Sequence, residues 1–121
     1  MPFQMLRKED RAVILNQGIV ADNFVRRLCG LIGTKKLANG EGLYFPKCNS
    51  IHMWMMSISI DVVFLKVLKP NQEWSVVSVH SDLKPWKLLP VSSLKANDVL
   101  ELPQGTIQRL GLKAGEVLCT A

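Results

Sequence analysis

The chain carries few of the residue patterns that announce a chemistry. Its three cysteines, Cys29, Cys48 and Cys119, stand far apart with no CxxC pair, which argues against a disulfide-dense scaffold and a four-cysteine zinc site. There is no GxxxxGKS/T phosphate loop and no GxGxxG fingerprint, so ATP and dinucleotide chemistry have no motif to rest on. The GxSxG elbow is missing too, and no Gly-rich turn beside Cys48 offers an oxyanion hole to a Cys48–His52 pair. Long apolar runs are also lacking: the richest stretch, residues 51–67, is broken by His52, Asp61 and Lys66, short of a membrane span of about twenty residues. Aromatic residues make up only 7% of the chain, and the basic pairs are not interleaved with the rings that stack nucleobases.

What is present describes one folded unit. A length of 121 residues suits a single domain over 1–121, and 48% hydrophobic against 21% charged residues is the balance of a globular protein with a core. The net charge of +5 is concentrated early, since residues 1–60 hold eight basic and four acidic side chains. That half contains the candidate basic patch, Arg26, Arg27, Lys35 and Lys36. A solvated face is the preferred reading of these pairs, with weak nucleic-acid binding as the alternative they permit. The opening residues 1–6 are too short for the apolar segment of a secretory signal and run into charge at Arg7 and Lys8, so a cytoplasmic protein with reduced thiols is expected.

Turn residues punctuate short β-rich runs. Residues 12–15 read as a first strand and 19–20 as a second short run, with Gly18 as the break between them. Asp22 is placed to cap a helix in which Phe24, Val25, Leu28, Leu31 and Ile32 recur at helical spacing, with Gly33 as its stop. A turn at 39–42 leads into a strand at 43–45, and residues 50–56 and 60–68 follow as two strands expected to lie side by side. The β-branched run 60–65 suits a central strand buried on both faces, and Pro70 with Asn71 turns it into a partner at 74–79. An irregular stretch reaches to Ala96. A strand at 98–102, a helical turn at 107–110 capped by Thr106 and a last strand at 116–119 complete the chain. The expected architecture is mainly β, a compact single-domain sandwich or barrel with one or two short helices.

The candidate ligand-binding residues are Ser50, His52, Trp54, Asp61, Trp86 and Glu101. An imidazole near a carboxylate is the minimal unit of proton transfer, which draws attention to His52 with Asp61 or Glu101. Strand pairing between 50–56 and 60–65 would set His52 opposite Phe64, leaving Asp61 as a buried carboxylate that accepts backbone hydrogen bonds. His80 falls at an expected strand end and reads as solvated. Met53, Trp54, Met55 and Met56 read first as core packing, while Trp86 in an irregular stretch suits either a binding loop or a plug at a barrel end. Cys48 and His52, four apart, give too few ligands for a metal, so neither metal nor cofactor is expected.

Several blocks in order carry a likeness: Gly30-Leu31-Ile32-Gly33, Gly40-Glu41-Gly42-Leu43, Cys48-Asn49-Ser50-Ile51-His52, Ile60-Asp61-Val62-Val63-Phe64-Leu65, Leu83-Lys84-Pro85-Trp86, and the run from Val99 through Glu101 to Ile107. Over residues 28–118 the chain resembles the bacterial and archaeal family known as domain of unknown function 192. The resemblance implies a compact, mainly β domain and no established activity, with Ser50, His52, Asp61 and Glu101 as shared polar positions. Thr34, Met53, Ser57 and Ser59 depart from the family's usual Arg, Thr, basic residue and Pro, so if the shared polar positions form an anionic-ligand site, two of its basic members are missing here. The preferred expectation is a small-ligand or protein-interaction domain without a complete catalytic set. The alternative is a hydrolase or other acid–base enzyme using His52 with Asp61 or Glu101.

Overall fold

The computed structural model describes residues 3–20, 37–48, 50–51, 58–84 and 91–120. Nine strands and one helical turn follow each other along these residues: β1 Phe3–Arg7, β2 Val13–Val20, β3 Glu41–Phe45, β4 Ser50–Ile51, β5 Ile60–Lys69, β6 Glu73–Leu83, β7 Val91–Ser92, β8 Asp98–Pro103, α1 Thr106–Leu110 and β9 Val117–Thr120. Seven of them close into a barrel in the order β1-β2-β3-β8-β5-β6-β9, with β9 returning to pair with β1. The β2–β3 pair is parallel and the other pairs of the ring are antiparallel. The expected mainly β barrel is the architecture found, and closure leaves its ring without the unpaired edge that an open sheet exposes.

Two apolar layers hold it. The inner one gathers Met5, Leu15, Val63, Leu65, Trp74, Val76, Leu100, Leu102 and Leu118, drawn from six strands around the ring, with Ile107 and Leu112 closing one end. The outer one covers a single side of the barrel, with Leu43 and Phe45 from β3, Ile60, Val62 and Phe64 from β5, Val99 from β8, and Ala96. Residues 60–65 of β5 are therefore buried on both faces, as the β-branched run predicts.

Five expectations change. The opening segment is not merely a charged lead-in but the first strand: Met5 and Leu6 are buried, and Met5 pairs with both Leu15 and Thr120. Gly18 does not break β2. Phe3 and Leu15 pack so closely over it that an added Cβ would stand 2.5 Å from Leu15 Cδ1 and 2.6 Å from Phe3 Cε1, so the missing side chain lets the strand run through an irregular register.

The expected pairing of 50–56 with 60–65 gives way to a separate pair, with Ser50 opposite Ser92 and Ile51 opposite Val91, because both sides of β5 are already taken by β6 and β8. Val91 and Ser92 thereby put a short strand inside the stretch expected to be irregular. Thr106, finally, is not the cap of α1: Gly105 occupies that position in the left-handed region at φ 91°, and the Thr106 hydroxyl donates to the Pro103 carbonyl at 2.7 Å. The helix expected after Asp22 lies outside the described residues.

Candidate functional site

Asp61 lies on the inner face near the start of β5, opposite Leu102, and is fully buried. One carboxylate oxygen accepts the backbone N–H of Asp82 at 2.8 Å and the other the N–H of Ile107 at 2.9 Å. The second bond satisfies a first-turn donor of α1 from 46 residues away, the service that a local cap would otherwise perform. Asp61 thus ties β5 to the far end of β6 and to α1.

A second buried aspartate works at the opposite end of the same two strands. Asp98, paired with Leu65, accepts the Trp74 indole N–H at 3.0 Å and the Lys47 backbone N–H at 3.0 Å, and the Tyr44 hydroxyl donates to it as well. Burial, and then the hydrogen bond to Asp98, push the Tyr44 hydroxyl far above its ordinary pKa, so it stays a donor. Tyr44 also stands edge-on to Phe3 and to Trp74, with ring centroids 5.9 and 5.6 Å apart. The sequence gives Asp98 no mark beyond a strand start.

Glu101 differs from both aspartates. Paired with Leu43 on β3 and Val62 on β5, it belongs to the outer apolar layer. It is 4% exposed, and its Oε2 is buried with no hydrogen-bond partner. The ion pairs among the described residues join Arg7 with Asp10 and Glu116, Lys8 and Lys69 with Glu73, and Lys84 with Asp82, so none of them reaches it. Burial pushes its pKa up to about 8, and at neutral pH most of it carries a proton.

His80 lies in the same row of the outer face. Val62 pairs with His80 on one side and with Glu101 on the other, which puts the two backbones two strand spacings, about 10 Å, apart. Its ring meets the edge of Phe64 at 5.3 Å between centroids, and Nε2 lies 3.3 Å from the Ser78 hydroxyl. The expected solvated strand end is corrected here: β6 runs on to Leu83, so His80 sits within the strand and is half-buried. Alternation with the inner-layer Val79 was the sequence signal for its face.

Of the other candidates, Ser50 is placed by its backbone in β4. His52, Trp54, Trp86, Arg26, Arg27, Lys35 and Lys36 lie outside the described residues, as do Met53, Met55 and Met56. Asp61 and Glu101 are not brought together, because their strand partners, Leu102 and Val62, belong to the inner and outer layers respectively. Among the described residues no cluster of three or more His, Cys, Asp or Glu could hold a metal ion. No helix there is long and apolar enough to cross a membrane.

The family model described as uncharacterized ACR, domain of unknown function 192, matches residues 7–119. The chain belongs to the domain of unknown function 192 family. The match begins in β1, well before the blocks that carry the likeness in the sequence, and takes in nearly the whole ring of this family member. No curated protein matches the chain.

Two solved structures share the fold of this domain of unknown function 192 protein. A protein of unknown function from Novosphingobium aromaticivorans is 22% identical, with a TM-score of 0.77 over 98% of this chain and 83% of its own. A candidate transcription regulator from Sinorhizobium meliloti is 21% identical, with a TM-score of 0.76 over 99% of this chain and 96% of its own. At these identities the likeness concerns the fold alone.

Proposed function

We propose that this domain is a binding module for a small molecule, taken up on the outer side of the barrel at Glu101. The observation that carries the reading is the buried Glu101 Oε2 without a partner. Such a group costs about 1–3 kcal/mol, and a leucine there would continue the apolar layer at no such cost. A carboxyl kept in this setting fits a group held ready for a ligand, since perturbed titratable residues gather at functional sites.

The aspartates support the same choice by elimination. Both oxygens of Asp61 accept backbone donors, and Asp98 accepts three, so their roles are those of fasteners. Ser50, His52, Trp54 and Trp86 complete the candidate set at the level of sequence. The chain around Ser50 is near in connectivity, because Cys48 donates its N–H to Asn97, one residue before β8. A buried thiol at Cys119 agrees with the reducing, cytoplasmic setting we assign.

A thermal-shift screen of metals, nucleotides, sugars and short peptides tests the reading. A ligand at 100 times its dissociation constant raises stability by about 2.7 kcal/mol. The expected result is a shift in the wild-type protein that Glu101→Leu abolishes. A screen with no shift, or one whose hits survive in Glu101→Leu, overturns it.

A further inference from the structure

The surroundings of Glu101 also indicate what kind of ligand it takes. This step rests on the reading of Glu101 as a binding group. Its strand neighbours Leu43 and Val62 are apolar, as are Val99 two residues away on its own strand and Phe45 and Phe64 in the next row. Its Oε2 is buried without a hydrogen-bond partner, and no described Lys or Arg forms an ion pair with it. A carboxylate intended for a cationic ligand is ordinarily kept ionised by backbone donors or a nearby positive charge. Among the described residues no Lys or Arg gives Glu101 such support, and its Oε2 has no donor.

We infer that Glu101 recognises an uncharged ligand carrying an adjacent hydrogen-bond acceptor and donor, such as an amide or lactam edge, on an apolar or aromatic body. The Glu101 carboxylic acid donates its O–H to the ligand carbonyl, and its own carbonyl oxygen accepts the ligand N–H. Two parallel hydrogen bonds form, and no charge is moved into the apolar layer. Val62 and Phe64 lie fully buried beside Glu101 in the same layer, and the His80 ring stands at a right angle to Phe64 on the β6 side. A charged headgroup would have to lose its hydration with no ion-pairing Lys or Arg at Glu101 among the described residues, which is the larger penalty.

Three probes of nearly one shape separate the alternatives: benzamide, benzamidinium and benzoate, titrated at pH 7 against the full chain. Binding is followed by ligand-observed NMR, and the carboxyl 13C resonance of Glu101 is assigned by its loss in Glu101→Gln. The expected result is benzamide binding at least about tenfold tighter than either ion, with the Glu101 resonance moving on its addition. Glu101→Gln, which keeps a neutral donor and acceptor, should hold benzamide within about threefold, and Glu101→Leu should lose it by about tenfold or more. Preference for benzamidinium, with binding abolished in Glu101→Gln, leaves a binding site at Glu101 but overturns the uncharged ligand. Preference for benzoate overturns it equally. If none of the three binds, or all bind Glu101→Leu as well as wild type, the inference and the binding reading beneath it both fall.

Discussion

Asp61 and Glu101 stand diagonally across neighbouring antiparallel strands, yet Asp61 turns inward with Leu102 and Glu101 turns outward with Val62. Side chains alternate across a sheet, so a shift of one residue in pairing decides which layer each acid enters. The inner acid meets two backbone donors, and the Oε2 of the outer one meets none. The same chemical group therefore fastens the fold at one position and, at the other, keeps a buried Oε2 without a hydrogen-bond partner.

The inward acid should be costly to remove. Asp61→Ala strands the buried N–H of Ile107 and the N–H of Asp82, and each unsatisfied donor costs about 1–3 kcal/mol, so a loss of roughly 2–4 kcal/mol is expected in urea unfolding. Asp61→Asn should retain part of this, because its single carbonyl oxygen can serve one donor while its amide opposes the other. A loss under about 1 kcal/mol in Asp61→Ala would show that Asp61 does not fasten α1 to β5.

The outward acid should make stability depend on pH. Its folded pKa of about 8 lies above the ordinary value of 4.5, so between these values the native chain holds a proton that the unfolded chain has released. Stability from this group is fully present below pH 4.5 and is lost as pH rises through about 8, with a limiting slope of about 1.4 kcal/mol per pH unit. Glu101→Gln removes the titration. Chemical denaturation of both proteins from pH 5 to 8 should show a declining difference; equal profiles would contradict a buried, protonated Glu101.

Much of the barrel is legible from the chain. The run at Ile60 to Leu65 announces a strand buried on both sides, and Pro70 with Asn71 announces its turn, where Asn71 takes φ 61°. What escapes is long-range. Phe3 to Arg7 holds its place by pairing with β9 at the other end of the chain, a relation that no local pattern contains. The donor of α1 is satisfied by Asp61 rather than by Thr106, and β4 finds β7 because β5 is already flanked.

The candidate site divides in the same way. Glu101 is visible as a polar residue within an apolar strand, but its lack of a partner follows only from packing. The row that aligns it with Val62 and His80 depends on the registers of two strand pairs, and nothing in the spacing of these residues along the chain fixes either register.

Gly18 offers a test of packing where a conformational explanation would mislead. Its place in β2 requires no left-handed backbone, but a methyl group would press on Phe3 and Leu15 at 2.5–2.8 Å. Gly18→Ala should therefore destabilise by about 1–3 kcal/mol even though alanine suits a strand better than glycine. Pairing it with Phe3→Ala should recover part of that loss, since the ring that blocks the methyl is gone. Additive losses in the double variant would locate the constraint elsewhere.

Asp98 should act through three donors at once, two of them side chains. Asp98→Ala takes the acceptor from the Lys47 amide and the Tyr44 hydroxyl and leaves the Trp74 indole only the Tyr44 oxygen, and a loss of roughly 2–4 kcal/mol follows. Tyr44→Phe removes a single donor and leaves Asp98 with two, so it should cost only about 1 kcal/mol. The Trp74 indole N–H also lies 3.1 Å from the Tyr44 oxygen, so the three groups form a closed triangle and their effects should not add. Combining the two substitutions should cost clearly less than the sum of the single losses. The indole N–H resonance of Trp74 should exchange slowly in wild type and in Tyr44→Phe but quickly in Asp98→Ala. Equal protection in all three proteins would mean that the aspartate does not hold the indole.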